Sequence, residues 1–137
     1  MINIEDFDKV EMRVGTILDV KENKKSRNPA YVVTIDFGEE IGIKKSSAQI
    51  TALYRLEDLI GRQIICCVNL GPIHIGSVKS EVRILGTESE QGVVLLQPSE
   101  TVKNGDKVFW KITVDRDGLN IVFLGWKYNS FGMEIRI

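Results

Sequence analysis

Alternation of apolar and polar residues with a period of two is the feature that most constrains how this chain can fold. The segment "VEMRVGTILDV", residues 10–20, alternates in this way until Gly15 disturbs the phase, which predicts a bulge in a strongly bent first strand. In "YVVTIDF", Tyr31 and Phe37 fall on one face together with every second residue between them, as in a strand with one buried face. The chain has 137 residues, of which 43% are hydrophobic, so we expect one compact domain with a single core.

The order of the predicted elements indicates the architecture. A third strand is predicted at "IGIKKSSA", with Ile41 and Ile43 facing inward. Lys44 and Ser46 would then lie on the opposite side. Next, "QITALYRLEDLIG" keeps an i, i+3, i+4 spacing of leucines before a glycine, which predicts a short helical connection. Two more antiparallel strands follow, and this order is that of the OB-fold, a partly open five-stranded barrel. We therefore expect an all-β OB-fold barrel over residues 1–108, with the short helix between strands 3 and 4.

The fourth strand, "RQIICCVNL", is apolar at both odd and even positions, as a strand covered on both faces would be. A second copy of the chain could cover one of these faces, so we predict a homodimer with a two-fold interface. The two adjacent cysteines would point to opposite faces and could not easily bridge, which predicts reduced thiols. The candidate interface residues, from this strand and the later "VVLL" segment, are Ile64, Cys66, Val68, Val94 and Leu96.

Residues 109–137 are predicted to form a C-terminal β-hairpin extension. In it "KITVD" and "LNIVFLGW" flank the turn sequence "RDG", and most of the large aromatic residues of the chain lie near this end. We expect the hairpin to pack on an exposed edge of the barrel or on the dimer interface. A specific ligand platform is the alternative.

The charge balance excludes a chain that binds nucleic acid over its whole surface, because 18 basic and 19 acidic residues give a net charge of −1. Any such binding must use a local patch. OB-folds bind through strands 2 and 3 and through the loops that join strands 1 to 2 and 4 to 5. Basic residues fall in these places: Lys21, Lys24, Lys25 and Arg27 in the first loop, Lys44 and Lys45 in strand 3, and Lys79 before strand 5.

Several motifs, taken in order, resemble those of the tRNA-binding-domain family. They are "DFDKVEMRVGTILDV", "PAYVVTIDFG", "IGIKKSSAQIT", "LIGRQIICCVNL", "KSEVRILG" and "VVLLQP" followed by "NGDKV". Other members of this family are appended to methionyl-tRNA synthetases and to phenylalanyl-tRNA synthetase β chains. The "KSEVRILG" segment is more similar to that of CsaA-type members than to the appended domains. The resemblance covers about residues 5–108.

The resemblance implies an OB-fold homodimer that binds structured RNA such as tRNA, or that holds unfolded or export-bound polypeptides, with the secretion machinery as a candidate partner. It places the binding surface on Lys44, Lys45, Ser46, Lys79 and Ser80, and Arg83 falls in the same motif. The lysines would hold phosphates, while the serines would hydrogen-bond to phosphate, ribose or peptide backbone.

Simpler explanations stay open for these residues. Because "SSAQ" matches a capping box, the serines could cap the helix that follows, and Arg83 could pair with a nearby carboxylate. The run "KENKKSRN" has the composition of a solvated loop. His74 is the only histidine. No other metal-ligating residues lie near it at a spacing typical of metal sites, so we expect it in a surface loop.

The sequence favours a binding module over an enzyme. It has no nucleophile motif, Gly-rich phosphate loop or metal-binding cluster, so no catalysis, cofactor or metal is expected. No apolar run approaches the roughly 20 residues of a membrane span, and the N-terminus lacks signal-peptide features, which predicts a cytoplasmic protein without membrane insertion. RNA binding is the first hypothesis and a polypeptide-holding chaperone the second. With only Tyr54 expected to be free for base stacking, backbone and shape would dominate RNA recognition.

Overall fold

A computed structural model describes residues 1–110 of the chain and, beyond them, the backbone of four short strands. The helices and strands of the first part are α1 (Ile4–Asp8), β1 (Met12–Glu22), β2 (Tyr31–Asp36), β3 (Ile43–Ala48), α2 (Leu56–Leu59), β4 (Gln63–Cys67), β5 (Ile73–Ile75), β6 (Val78–Ser80), β7 (Arg83–Ile84), β8 (Gly86–Ser89) and β9 (Gly92–Leu95). The later strands are β10 (Thr113–Val114), β11 (Asn120–Phe123), β12 (Trp126–Asn129) and β13 (Glu134–Arg136). Among the described residues, no helix has the length and apolarity to cross a membrane.

Five strands form one antiparallel sheet in the order β3-β2-β1-β4-β7. The long strand β1 pairs with β4 over residues 12–16 and with β2 over residues 16–22. The edge strands β3 and β7 then approach each other, where the Glu81 amide donates to the Lys45 carbonyl at 2.8 Å. Beside it, the Ser46 hydroxyl donates to the Val82 carbonyl at 2.9 Å. The sheet is therefore a nearly closed five-stranded barrel, which confirms the predicted all-β fold class.

The bend of β1 has a different cause from the predicted one. The register of β1 against β2 shifts between Ile17 and Asp19, and Leu18 is left 44% exposed, so the bulge lies there. The prediction of a bulge at Gly15 is wrong. Gly15 instead makes room for the core, since a Cβ at this position would lie 2.8 Å from the Phe37 ring.

The core of the barrel contains the predicted face of β2, including Tyr31 and Phe37. One end is closed by α2, whose Leu59 is fully buried. This helix stands between β3 and β4 as predicted, but it has only four residues. Leu53 and Ile60, which belong to the predicted helical segment, lie outside the helix and are 44% and 53% exposed. A longer helix would therefore gain little packing energy.

The inward face of β3 is not the predicted one. Pairing of β2 with β3 sets Ser46 opposite Val33, and directly opposite residues share a face of the sheet. Ser46 therefore lies inside the barrel and is 1% exposed, whereas Ile43 is 60% exposed. The polar side chain is tolerated there because its hydroxyl has hydrogen-bond partners at the seam between β3 and β7.

The predicted interface residues separate into two groups. Ile64 and Cys66 are fully buried in the barrel core, so the structure contradicts their assignment to a surface between two subunits. The alternation of β4 turns them inward, and the low polarity of the core raises the pKa of the Cys66 thiol to about 12. Val68 is packed against the core, while Val94 and Leu96 are 41% and 37% exposed. Contact of the latter two with a second copy stays a prediction.

Two hairpins extend from the barrel. In the first, β5 pairs with β6 around Gly76 and Ser77, and Gly76 has a φ of +65°. This segment was predicted to be a loop, but His74 lies in strand β5. The two-residue "GS" turn between alternating residues was the signal that could have identified it. In the second hairpin, β8 pairs with β9.

The C-terminal strands form an antiparallel sheet in the order β10-β11-β12-β13. Thr113 lies opposite Val122 and Val114 opposite Ile121. The "RDG" turn and the aromatic side chains beyond residue 110 lie outside the described residues, whereas Phe109 and Trp110 are described and exposed. Packing of residues 109–137 on the barrel or on a dimer interface therefore stays a prediction.

Candidate nucleic-acid interface

A cluster of four buried polar residues lies where β3, β6 and the loop after β1 meet. We call Asn23, Ser46, Ser47 and Ser80 the Asn–Ser cluster; each is at most 8% exposed. The Ser47 amide donates to the Ser80 hydroxyl at 3.1 Å. That hydroxyl lies 3.1 Å from the Ser46 hydroxyl, which donates to a carbonyl across the seam. A chain of this kind satisfies each buried group and fixes the strands that carry it.

Asn23 connects the loop after β1 to the rest of the cluster. Its Nδ2 group donates to the Ser47 hydroxyl at 3.0 Å and to the Ile75 carbonyl at 3.1 Å. Its Oδ1 atom accepts from the Lys25 amide at 3.3 Å. The hairpin turn packs closely on the same loop, because a Cβ at Gly76 would lie 2.8 Å from the Lys25 carbonyl oxygen. One side chain thus connects the first loop, β3 and the β5–β6 hairpin.

The predicted basic residues surround this cluster on the three elements that it joins. All five of the following, which we call the basic surface, are exposed: Lys24, Lys25, Arg27, Lys45 and Lys79. Within residues 1–110 none of the five forms an ion pair. Lys21 belongs to β1 and pairs with Asp19 at 3.9 Å. The structure therefore brings together positive charges from residues 24–27, 45 and 79 on a fixed framework.

Lys44 and Lys45 differ in their surroundings although they are neighbours in sequence. Lys44 is 37% exposed, and its Nζ atom lies 3.8 Å from a Glu81 carboxylate oxygen. The other oxygen of Glu81 accepts from the Lys45 amide at 3.1 Å, but the Lys45 side chain is exposed and has no acidic partner among the described residues. Alternation along β3 explains the difference, since the two side chains leave opposite faces of the strand. Lys45 is therefore the better placed of the two for an external anion.

Arg83 is used within the protein. Its guanidinium donates to the Ser80 carbonyl at 3.2 Å and to the Gly71 carbonyl at 2.7 Å. The side chain is half-buried. In the part of the chain that the structure describes, Arg83 pairs with no carboxylate, and it is not a free cation because it ties the loop before β5 to the end of β6.

Both predictions for the serines are wrong. Ser46 and Ser80 are each 1% exposed, so their hydroxyls do not reach an external ligand. They do not cap a helix either, because Arg55 stands at the start of α2 and Ser46 belongs to β3. Two residues of the site were not predicted from the sequence. Asn23 stands inside the charge run "KENKKSRN" and carries no signal of burial, and Glu81 stands in the "KSEV" motif.

Tyr54 is also not free for base stacking. Its hydroxyl accepts from the Leu95 amide at 3.0 Å, and its carbonyl accepts from the Tyr31 hydroxyl at 2.8 Å. The Arg62 guanidinium covers its ring at 5.2 Å from the centroid. The basic surface can therefore contact a nucleic acid mainly through its phosphate groups.

A comparison with family models matches residues 12–107 to the tRNA binding domain family. The chain belongs to this family. The match begins at the first residue of β1 and continues beyond the last barrel strand, so the family corresponds to the whole barrel. A tRNA binding domain is a binding unit and not a catalytic domain.

Methionine–tRNA ligases are among the curated relatives of the chain. The ligase of Methanococcus vannielii is 35% identical over 108 residues, which are 79% of this chain and 16% of the ligase. The ligase of Pyrococcus horikoshii is 33% identical over 107 residues, which are 78% of this chain and 14% of the ligase. The chain therefore spans about one-seventh of the length of these enzymes, and the similarity concerns one domain of each.

Two solved structures have the same barrel over nearly their whole length. The chaperone CsaA from Bacillus anthracis is 47% identical, with a TM-score of 0.75, and the match covers 80% of this chain and 99% of that one. The CsaA chaperone protein from Picrophilus torridus is 44% identical, with a TM-score of 0.76, and the match covers 80% and 100%. These neighbours confirm the resemblance to CsaA-type chains.

Proposed function

We propose that the chain binds tRNA or another structured RNA through the basic surface, with Lys45 and Lys79 as central phosphate contacts. The loop residues Lys24, Lys25 and Arg27 would extend the contact along the RNA backbone. Ammonium and guanidinium groups bind phosphate oxygens without reading sequence, and shape and backbone are what proteins mainly read in folded RNA. The site of action would be the cytoplasm, where tRNA occurs.

The observation that carries the proposal is the convergence, on a rigid framework, of positive charges that form no ion pair within residues 1–110. Five exposed basic residues from three elements surround the buried Asn–Ser cluster, while the net charge of the chain is −1. Charge that is concentrated in this way supports local attraction of a polyanion. Because hydrogen bonds already fix the elements, less conformational entropy is lost when RNA binds.

Fluorescence anisotropy with labelled bulk tRNA tests the proposal. We expect saturable binding whose log affinity falls linearly with log salt, with a slope of about −0.7 to −0.9 for each phosphate contact. Lys45→Ala and Lys79→Ala should each weaken binding and reduce the slope by about one contact. Lys44→Ala should have a smaller effect, because Glu81 already neutralises part of its charge.

Lys107→Ala is the matched control, since it removes one exposed charge from the segment that pairs with the start of β1. It should leave both affinity and slope nearly unchanged. The proposal fails if tRNA does not bind at low salt, or if Lys107→Ala weakens binding as much as Lys45→Ala does.

A second candidate function is the holding of unfolded polypeptides. It rests on the two structural neighbours, which are named chaperones, and on apolar residues beside the basic surface. Leu70 and Ile73 are 51% and 45% exposed and could contact an apolar peptide. Binding of a labelled unfolded peptide should then resist added salt and weaken in Ile73→Thr, whereas tRNA binding should keep its salt dependence.

We also propose that the chain forms a homodimer in which Val94 and Leu96 are buried. Their exposure in a single copy supports this contact. Light scattering coupled to gel filtration should give twice the 15.4 kDa mass of the chain. A mass of one chain would exclude the contact, and so would a dimeric mass that Val94→Asp leaves unchanged.

A further inference from the structure

The β5–β6 hairpin carries a pair of exposed side chains that the phosphate contacts alone do not explain. His74 lies directly opposite Lys79 in this hairpin. Directly opposite residues of antiparallel strands project from the same face, with Cβ atoms about 4.5–5.5 Å apart. Both side chains are exposed. An imidazole ring and an ammonium group therefore project side by side.

The other face of the hairpin is turned toward the protein except at Ile73, which is 45% exposed. Ile75 and Val78 are half-buried, and Ser80 belongs to the Asn–Ser cluster. A two-stranded hairpin is marginally stable by itself in water, but this one is fixed by the hydrogen bond from Asn23 to the Ile75 carbonyl. His74 and its lysine neighbour are thus presented outward on a held element.

Within residues 1–110, His74 is the one side chain with a flat ring that accompanies the basic surface. Tyr31 and Phe37 are in the core, and Arg62 covers the ring of Tyr54. The exposed rings of residues 109 and 110 lie elsewhere, in a groove that they share with residues 7–12. Single-stranded loops of folded RNA expose bases that stack on aromatic side chains, including histidine.

We propose that His74 stacks on an unpaired base of the bound RNA while Lys79 holds a neighbouring phosphate. This inference rests on the proposed RNA binding and adds to it a direct contact with a base. It identifies the ligand as RNA with an unpaired loop or end, because the bases of a continuous duplex are stacked within it and are not free for a side chain.

Variants of His74 test the stacking in the same anisotropy assay with bulk tRNA. His74→Ala should weaken binding about five- to tenfold, which is the lower range for loss of one stacked base. His74→Tyr, which keeps a flat ring, should restore most of the affinity, and His74→Gln, which keeps only polarity, should not. The salt slope should stay unchanged in all three, since no phosphate contact is removed. Thr87→Ala, at an exposed position of the β8–β9 hairpin, is the control and should bind as the unaltered chain does.

Because the chain contains one histidine, the imidazole Hε1 proton gives a single NMR reporter. On addition of tRNA this signal should move upfield through the ring current of the base and saturate at the same concentration as the anisotropy. If anisotropy shows salt-dependent binding while the Hε1 signal stays in place and His74→Ala binds normally, the stacking is refuted and the proposed function stands. If tRNA does not bind at all, both fall.

Discussion

Asn23→Ala is the substitution that most directly tests whether the Asn–Ser cluster holds the binding surface together. It removes two hydrogen bonds donated by the side chain, at 3.0 and 3.1 Å, and one accepted at 3.3 Å. At about 1 kcal/mol for each bond, the free energy of unfolding should fall by about 2–3 kcal/mol. For a domain of this size the melting temperature should fall by roughly 5–10 °C.

The same change should weaken RNA binding although it removes no charge. Lys24 and Lys25 would no longer be held near β3 and the β5–β6 hairpin, so we expect tRNA affinity to fall about three- to tenfold at low salt. The salt slope should lose about one phosphate contact. Lys25→Ala should cost less affinity in the Asn23→Ala background than alone, because the two changes act on one coupled unit.

Asn28→Ala provides the matched control. Asn28 lies in the same loop and is exposed, so its loss should change stability by less than about 0.5 kcal/mol. Thermal unfolding followed by circular dichroism and the tRNA titration would be measured for both variants. If Asn23→Ala unfolds and binds as Asn28→Ala does, the cluster does not organise the surface and the reasoning is refuted.

Three further predictions concern the core, the cysteines and the acidic residue of the site. Gly15→Ala should destabilise the protein by about 1–3 kcal/mol in a urea titration, because its Cβ would lie 2.5 Å from a core methyl group; Gly71→Ala, with open space around it, should cost far less. Because burial raises the pKa of the Cys66 thiol to about 12, a disulfide reagent at pH 8 should react with it only in denaturant, and rapid native labelling of that thiol would contradict this. Glu81→Gln should raise tRNA affinity about two- to fivefold at low salt by freeing Lys44, and a gain that persists at high salt would contradict the electrostatic cause.

The fold was largely predictable because its signals are local. Alternation identified β2 with its buried Tyr31 and Phe37, and the order of elements predicted the five-stranded barrel with a helix between β3 and β4. The motif resemblance pointed to the family that the comparison shows. The prediction failed where alternation alone was used to choose the inward face of a strand. In β3 the register with β2 turns Ser46 inward.

The candidate site was predictable only in part. The sequence located the basic residues of the first loop, β3 and the hairpin, because charge can be read directly from residue types. It did not reveal that Asn23 is buried, since nothing in a polar run marks one asparagine as the residue that binds partners 24 and 52 positions away. Nor did it show that Glu81 neutralises one of two adjacent lysines.

The sequence by itself determined most of the barrel strands, the class of barrel, the family and the sign of the charges, because periodicity, motifs and residue types are local properties of the chain. The tertiary structure alone decided which polar residues are internal supports and which face a ligand. That distinction depends on barrel closure, which sets Ser46 beside Ser80 across 34 positions of sequence. Pairing over such distances depends on the register of whole strands, and no local pattern encodes it.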